Sequence, residues 1–231
     1  MKKDFSIREQ ICFDFLSLLE KEEDYVVIGG YAVSSFGFPR FSVDLDVIIS
    51  DSKKSVFHRL IADSGFVLSI EKTDLAYAGV FERHRKGLVS IDLLINAVQS
   101  RQTGYSYPFS YVFTHSVKRQ VTGWNPVHNA RVRVAKKELL IALKLHSLRD
   151  SDKRDIIMLC YEIPDVSAVV NHLMNGPKKK IAEHVSELLS VINDQHFKDS
   201  LKGVFSIDER VFDRSVQHCQ YLLKEIRDQL Q

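Results

Sequence analysis

The chain has 231 residues, of which 45% are hydrophobic and 27% are charged, as is ordinary for a soluble globular protein. This length allows one large domain or two small ones. The formal net charge of +2 is too small to indicate a nucleic-acid partner by itself, so the distribution of that charge matters more.

The cysteines and the apolar segments indicate the cellular compartment in which we expect the protein. Cys12, Cys160 and Cys219 are scattered singly, which argues against a structural zinc site of the CxxC type and against a disulfide framework. The first ten residues lack the apolar run of a signal peptide, and no stretch approaches the roughly 18 apolar residues that span a bilayer. We therefore expect a reduced, cytoplasmic protein with no membrane partner.

Hydrophobic periodicity predicts a mixture of strands and helices in the first 135 residues. The stretch 100–115 is rich in Tyr, Ser, Phe and Pro and is predicted to be a loop. The predicted elements are, in chain order, a helix at 5–20, a strand at 25–29, a short helix at 31–37, a strand at 43–49, a helix at 53–63, strands at 66–71, 75–83 and 87–95, and strands near 116–121 and 127–134.

Helical periodicity takes over after residue 135. The predicted helices lie at 136–148, 152–161, 166–174, 178–192 and 208–231. Strands and helices followed by helices alone predict an α+β fold. We expect a mixed sheet flanked by helices in an N-terminal domain, 1–130, and a helical C-terminal domain, 131–231.

The first candidate site residues lie in the strand at 43–49. Side chains alternate faces along a strand, so Asp44 and Asp46 point one way and the apolar residues around them point the other way. Two adjacent carboxylates on an apolar strand are costly unless a cation lies between them. A hard divalent cation with oxygen ligands, such as magnesium, fits that need.

A third carboxylate, Asp92, interrupts the apolar strand at 87–95. If this strand lies beside the first, three carboxylates converge, and two metal ions roughly 3.5–4 Å apart can serve an in-line phosphoryl displacement. Gly29-Gly30 complements them, because glycine lets backbone amides approach phosphate oxygens and a helix that starts there directs its amides at an anion. The pattern predicts a triphosphate site.

These motifs resemble the nucleotidyltransferase superfamily related to DNA polymerase β, in which a glycine-containing turn precedes a D-x-D strand and a third Asp follows on a later strand. Within it, Ile28-Gly-Gly-Tyr-Ala, Pro39-Arg-Phe-Ser-Val-Asp-Leu-Asp and Asp92-Leu-Leu are similar to the AbiEii-like branch, which includes toxins of type IV toxin–antitoxin systems. The chain departs from the pattern with Gly-Gly where Gly-Ser is common, and with Met158 where some relatives carry an acid.

A later helical motif extends the resemblance, which covers the chain from about residue 25 to about residue 160. It implies that Lys144 and Arg149 reach the triphosphate and that Asp155 orients one of them or the nucleotide. Arg40 would pair with phosphate or lock the glycine turn. The C-terminal domain would then contribute to the nucleotide cleft.

The resemblance also implies roles for the acidic residues and for the ligands. Asp44 and Asp46 would bind both metal ions, and Asp92 would ligate the catalytic one and help to activate the attacking hydroxyl. The cofactor would be Mg²⁺ or Mn²⁺, and the substrate an NTP. The acceptor would be RNA, such as a tRNA 3′ end, or else a protein hydroxyl or a small molecule, and a toxin would have an antitoxin protein as partner.

Charge and histidine content leave alternatives open. From His115 to Arg154 there are ten Lys or Arg against three acids, which favours RNA contact unless these charges only solvate helix faces. The nine histidines show no metal-like spacing, and His58, His84 and His146 are expected on surfaces or half-buried. The rival hypothesis for the whole chain is a catalytically degenerate module that binds nucleotide or a protein.

Overall fold

A seven-stranded mixed sheet dominates the first part of the chain in a computed structural model, which describes residues 2–42 and 44–230. Val43, the predicted first residue of the D-x-D strand, lies outside the described residues. The strands are β1 (Tyr25–Ile28), β2 (Asp44–Ile49), β3 (Val67–Leu75), β4 (Gly79–Lys86), β5 (Val89–Ile95), β6 (Ala97–Gln99), β7 (Ser106–Pro108), β8 (Ser116–Thr122) and β9 (Asn129–Ala135).

The order of strands in the large sheet is β3-β4-β5-β2-β1-β9-β8, and β6 and β7 form a separate two-stranded ribbon. Pairing is parallel between β2 and β5 and between β1 and β9, and antiparallel elsewhere in the large sheet. The strands β1 and β5 are buried at almost every residue, as expected of strands covered on both faces. The D-x-D strand β2 lies between β5 and β1, in the middle of the sheet.

Two compact units divide the chain. The first comprises Met1–Gln99 and Ser106–Lys136, and contains the sheet and the helices α1 (Lys2–Leu19), α2 (Gly29–Ser34), α3 (Lys54–Asp63) and α4 (Phe109–Thr114). The second comprises Ser100–Tyr105 and Lys137–Gln231, and its helices are α5 (Lys137–Ser147), α6 (Asp150–Leu159), α7 (Val166–Leu173), α8 (Lys178–Val191), α9 (Gln195–Phe205) and α10 (Glu209–Leu230).

The predicted α+β class is confirmed, with a mixed sheet flanked by helices and a helical C-terminal region. Three local predictions are wrong. The region at 100–115 contains β7 and α4, whose aromatic and short segments carry little periodicity. The strand predicted from residue 75 begins at Gly79, since Tyr77 and Ala78 adopt positive φ in a turn. The unpredicted α9 follows Asp194, whose side chain caps its N-terminus at Phe197 N.

A buried glutamate fixes the N-terminal helix to the sheet. Glu9 of α1 is fully buried and accepts hydrogen bonds from the backbone N–H groups of Trp124 and Asn125 and from His128 Nδ1. All three donors lie in the turn between β8 and β9, and they compensate the charge that Glu9 carries into the interior. Within the described residues, no helix combines the length and the apolar character that crossing a bilayer requires.

Candidate active site

The register of the central strands decides where the three predicted carboxylates lie. β2 and β5 pair in parallel, with Asp46 beside Asp92 and Asp44 beside Ser90. Residues paired across adjacent strands project to the same face of a sheet, and so do residues two apart on one strand. Asp44, Asp46 and Asp92 therefore share one face, and Asp46 and Asp92 are immediate neighbours there.

The two carboxylates of β2 each have a close neighbour. Ser90 Oγ donates a hydrogen bond to Asp44 Oδ1. Asp46 lies against Gly29, because a Cβ built on that glycine would clash with Asp46 Oδ2. Both aspartates are only half-buried, so the pair keeps some access to solvent.

Arg83 neutralises the third carboxylate. It lies across from Asp92 in the antiparallel register of β4 and β5, and its guanidinium donates from Nε to Oδ1 at 2.7 Å and from Nη2 to Oδ2 at 2.6 Å. The pKa of Arg83 is raised, chiefly by this hydrogen bond to Asp92, and the charges of Asp44 and Asp46 act in the same direction. One guanidinium thus experiences the field of all three carboxylates, which form one acidic cluster.

The turn between β1 and α2 brings backbone up to this cluster. Gly29 has a φ of 68°, a left-handed conformation that side chains with a Cβ rarely adopt. α2 begins at Gly29, and Ile28, the residue before it, supplies no side-chain cap. The first turn of α2 and the carboxylate of Asp46 therefore meet at a position that a larger residue could occupy only with backbone strain and with displacement of that carboxylate.

Arg40 lies on the other side of the same turn. A Cβ built on Gly30 would come within 2.9 Å of Arg40 Nη2 and within 3.0 Å of Ser42 Oγ. Arg40 N donates to Ser34 Oγ at 3.4 Å, and Tyr31 Oη donates to the Ser42 carbonyl at 2.8 Å. These bonds fasten the segment before β2 to α2, but they involve the backbone of Arg40, so the role of its side chain in locking the turn stays a prediction. Its contact with phosphate stays a prediction.

Lys144 lies in the second unit, in a buried ion cluster. Its Nζ lies 2.8 Å from Asp152 Oδ1 and 2.7 Å from Asp155 Oδ2, and both aspartates are fully buried. The lysine charge compensates two carboxylates that would otherwise be very costly inside the protein. Asp155 therefore forms an ion pair with Lys144 within this unit, whereas its predicted orienting role and a contact between Lys144 and triphosphate stay predictions.

Arg149 belongs to the same cluster through Asp152. Arg149 Nε donates to Asp152 Oδ2 at 2.8 Å, and Ser147 Oγ donates to the same oxygen at 2.6 Å. Burial alone would raise the pKa of Asp152, but the charge of Lys144 and the hydrogen bond and charge of Arg149 hold it below its ordinary value. The Arg149 side chain is 69% exposed, so its guanidinium stays accessible at the start of α6.

Sequence reasoning missed Arg83, Ser90 and Asp152 as site residues. A signal for Arg83 existed, because Lys86 pairs with Val89 across a two-residue turn, and that pairing fixes which residue of β4 faces Asp92. The expectation for two histidines is also wrong: His84 and His146 are 6% and 1% exposed, respectively. The pKa of His146 falls to about 4, because burial and the neighbouring His184 disfavour its charged form.

Comparisons with known proteins find solved structures of low sequence identity to this chain. No family model matches it, and no curated protein matches it. Similar solved structures include a provisionally assigned nucleotidyltransferase from H. pylori, at 15% identity and a TM-score of 0.48 over 100% of this chain and 97% of that chain. JHP933 from Helicobacter pylori is 16% identical, with a TM-score of 0.48 over 98% of this chain and 93% of that chain.

A third neighbour is the STING-associated CdnE c-di-GMP synthase from Capnocytophaga granulosa. It is 11% identical, with a TM-score of 0.24 over 99% of this chain and 82% of that chain. At these distances, the function has to be argued from the side chains of this chain.

Proposed function

We propose that the chain is a metal-dependent nucleotidyltransferase, which moves a nucleoside monophosphate from an NTP to an acceptor and releases pyrophosphate. The observation that carries the proposal is the parallel register of β2 and β5, which sets Asp46 beside Asp92 with Asp44 two residues away on the same face. Three carboxylates that share one face of two largely buried neighbouring strands, β2 and β5, are a liability for folding, so they indicate a function.

The residues fit a hard divalent cation. Asp44, Asp46 and Asp92 offer carboxylate oxygens, which Mg²⁺ and Mn²⁺ prefer, and two of the three side chains are half-exposed. When bound, such an ion neutralises charge that develops on the transferring phosphoryl group. Asp92 accepts both of its hydrogen bonds from Arg83, so in the proposed enzyme it shares its carboxylate between that guanidinium and the cation.

The glycine turn supports the phosphate end of the proposal. Because Gly29 carries no side chain, the backbone at the start of α2 lies directly against Asp46. A triphosphate that is bound through metal ions at the carboxylates would therefore lie close to backbone amides that have few partners in the first turn of a helix. The predicted triphosphate contacts of Lys144 and Arg149, and the predicted role of Asp155, belong to this proposal as hypotheses.

For the acceptor we favour RNA, such as a tRNA 3′ end, over a protein hydroxyl. Support comes from the resemblance of the glycine-turn and D-x-D motifs to the AbiEii-like branch, and from the excess of Lys and Arg between residues 115 and 154. The same resemblance supports a role as the toxin of a type IV toxin–antitoxin system, with an antitoxin protein as partner.

One assay tests the transfer reaction. The protein is incubated with each labelled NTP, magnesium and either total RNA or lysate protein, and the wild type is compared with a variant carrying Asp44→Asn and Asp46→Asn. Asp63→Asn is the matched control, since Asp63 is an exposed aspartate at the end of α3. We expect label in RNA with the wild type and with the control only. Transfer that survives the double substitution would overturn the mechanism.

The toxin role has a test of its own. Induced expression of the wild type should slow growth of the host, and Asp46→Asn should relieve the effect at equal protein level. Equal growth with both proteins would remove the toxin role and would leave the transfer reaction untouched.

A second candidate function is supported by the Arg83–Asp92 pair. A guanidinium that makes two short bonds to Asp92 supplies the positive charge that a metal ion would bring, as expected of a module that binds nucleotide or protein without turnover. This candidate predicts nucleotide or partner binding without label transfer to any acceptor. It also predicts that Mn²⁺ leaves the thermal stability of the wild type unchanged, whereas the enzyme should be stabilised by Mn²⁺.

A further inference from the structure

A second cluster of ligand-type side chains lies away from the three aspartates. Among the described residues, the ligand atoms of His58, Glu82 and His84 all lie within 4.8 Å of one another. His58 Nε2 lies 2.7 Å from Glu82 Oε2, and His84 Nε2 lies 3.0 Å from the same oxygen. Two imidazoles from different elements, α3 and β4, thus converge on a single carboxylate oxygen.

This cluster lies on the opposite face of the sheet from the candidate active site. Glu82 and His84 alternate along β4 with Arg83, and Arg83 reaches Asp92. The cluster therefore contributes nothing to the acidic cluster of Asp44, Asp46 and Asp92, and an inference drawn from it is independent of the proposed nucleotidyl transfer.

Burial makes the arrangement costly for a carboxylate. The Glu82 side chain is 1% exposed and has to be compensated where it lies. Lys54 Nζ is 3.4 Å from the other oxygen, Oε1, so the lysine engages one oxygen and leaves Oε2 to the two imidazoles. The His58 side chain is 39% exposed, which gives an ion a route from solvent to the cluster.

We propose that His58, Glu82 and His84 form a binding site for a divalent transition-metal ion of the zinc type. Two imidazole nitrogens and one carboxylate oxygen are the ligand set that zinc accepts at sites with three protein ligands and one water. Imidazole selects Zn²⁺, Co²⁺ or Ni²⁺ over Mg²⁺, which prefers an all-oxygen shell. The spacing of the three ligand atoms allows them to close on one ion with small side-chain movements.

Metal binding requires each imidazole to offer the lone pair of Nε2 to the ion, with the ring proton on Nδ1. Where an Nε2 carries the ring proton instead, it donates to Glu82 Oε2, so the ion replaces these two hydrogen bonds. Lys54 keeps its contact with Oε1 and holds the carboxylate to one oxygen for the ion. The ion would fasten α3 to β4, so its role is to stabilise the first unit.

Cobalt titration of the metal-free full-length protein tests the site. We expect one equivalent of Co²⁺ to give visible ligand-field bands, and proton NMR to show shifted, solvent-exchangeable signals from two imidazole N–H groups. Zn²⁺ should displace the Co²⁺ and raise the melting temperature. The doubly substituted Asp44→Asn, Asp46→Asn protein should show the same two signals, which separates this site from the proposed active site.

Substitution of a proposed ligand tests whether the metal ion binds at this cluster. His58→Gln should weaken Co²⁺ binding by about a hundredfold or more and abolish the rise in melting temperature with Zn²⁺, since the loss of a ligand costs at least as much as the loss of a ligand's hydrogen-bond partner. His58 is partly exposed, so this variant should fold, and circular dichroism checks that it does. His196→Gln, at an exposed histidine of α9, is the control and should bind as the wild type does. Equal Co²⁺ affinity of His58→Gln and wild type, or the absence of the imidazole signals, would overturn the site.

Discussion

Asp46 of β2 and Asp92 of β5 are direct partners in a parallel register. Adjacent strands lie only about 4.8 Å apart, so this pairing sets two like charges side by side on one face. Arg83, in the next strand, accounts for part of the compensation through its two bonds to Asp92. Asp44 and Asp46 are half-exposed, so a cation that approaches from solvent reaches them before the buried Asp92.

Removal of one β2 carboxylate should stop nucleotidyl transfer with little effect on folding. For Asp46→Asn we expect transfer to fall by roughly a hundredfold or more, because a bound metal ion stabilises phosphoryl transition states by several kcal/mol. The melting temperature without metal should stay level or rise, since the substitution removes like-charge repulsion beside Asp92. Initial rates and thermal unfolding measure the two effects, with Asp63→Asn as control. A lower melting temperature together with the lost rate would instead indicate a structural role.

Gly29 should be needed for function more than for stability. An alanine there would clash with Oδ2 at the end of the Asp46 side chain, and that side chain can rotate away. We therefore expect Gly29→Ala to lose Mn²⁺ binding and transfer activity, whereas its unfolding free energy falls by only about 1–3 kcal/mol, the cost of a left-handed alanine.

Gly87→Ala is the matched control for that substitution. Gly87 has a φ of 61°, close to the 68° of Gly29, and a Cβ there would meet nothing within 4 Å. Its stability loss should equal that of Gly29→Ala within about 1 kcal/mol, with Mn²⁺ binding and activity intact. If both variants keep Mn²⁺ binding, Asp46 is not positioned by the glycine turn.

The sequence contained enough to predict the strands that carry the carboxylates, because apolar runs broken by Asp44, Asp46 and Asp92 leave little choice of structure. The role of Arg83 needed the hairpin register as well, since a charged residue in a strand is ordinarily a solvated one. The cluster of His58 with Glu82 and His84 could not be predicted, because its two elements are brought together by tertiary packing and not by sequence spacing.

The same reason limits what sequence could say of the second unit. Lys144, Arg149 and Asp155 were recognisable from a helical motif, but their spacing does not tell a ligand contact from a buried ion cluster. The role of Asp152 as the common acceptor for Lys144, Ser147 and Arg149 depends on the bend between α5 and α6, where Leu148 has a φ of 36°. Such a bend has no strong sequence signature without glycine.

Lys144 should be a major stabilising residue of its unit. Lys144→Met removes the charge that lies between Asp152 and Asp155, and it leaves buried carboxylates undercompensated. We expect the free energy of unfolding to fall by about 3–5 kcal/mol, measured by urea denaturation. Lys179→Met, at an exposed lysine of α8, should change it by less than about 0.5 kcal/mol. Equal stability of both variants would mean that the cluster is not energetically coupled to folding.

Asp152 gives this cluster a pH dependence of known sign. Its pKa in the folded chain lies below the ordinary value of 3.8, so the carboxylate stabilises the fold above that pH, and the contribution is lost as the pH falls below it. The stability difference between wild type and Asp152→Asn should therefore be constant from pH 7 to about pH 5 and shrink at lower pH. Urea unfolding at several pH values measures it, and the difference for Asp63→Asn should stay small throughout. A difference that grows in acid would reverse the assigned sign.

Substitution of Arg83 distinguishes the proposed enzyme from a module that binds nucleotide or protein without turnover. In the enzyme, the guanidinium and the metal ion compete for Asp92, so Arg83→Met should raise the affinity for Mn²⁺ severalfold. Without Mn²⁺ the variant should lose about 1–3 kcal/mol of stability, because Asp92 is left nearly buried and unpaired, and saturating Mn²⁺ should restore most of it. Arg85→Met, at an exposed arginine two residues along the same strand, controls for a general change of field. Calorimetric titration and thermal unfolding measure both effects. If Mn²⁺ neither binds Arg83→Met more tightly than wild type nor restores its stability, Asp92 is a partner of Arg83 alone, and the acidic cluster serves a module that does not use metal.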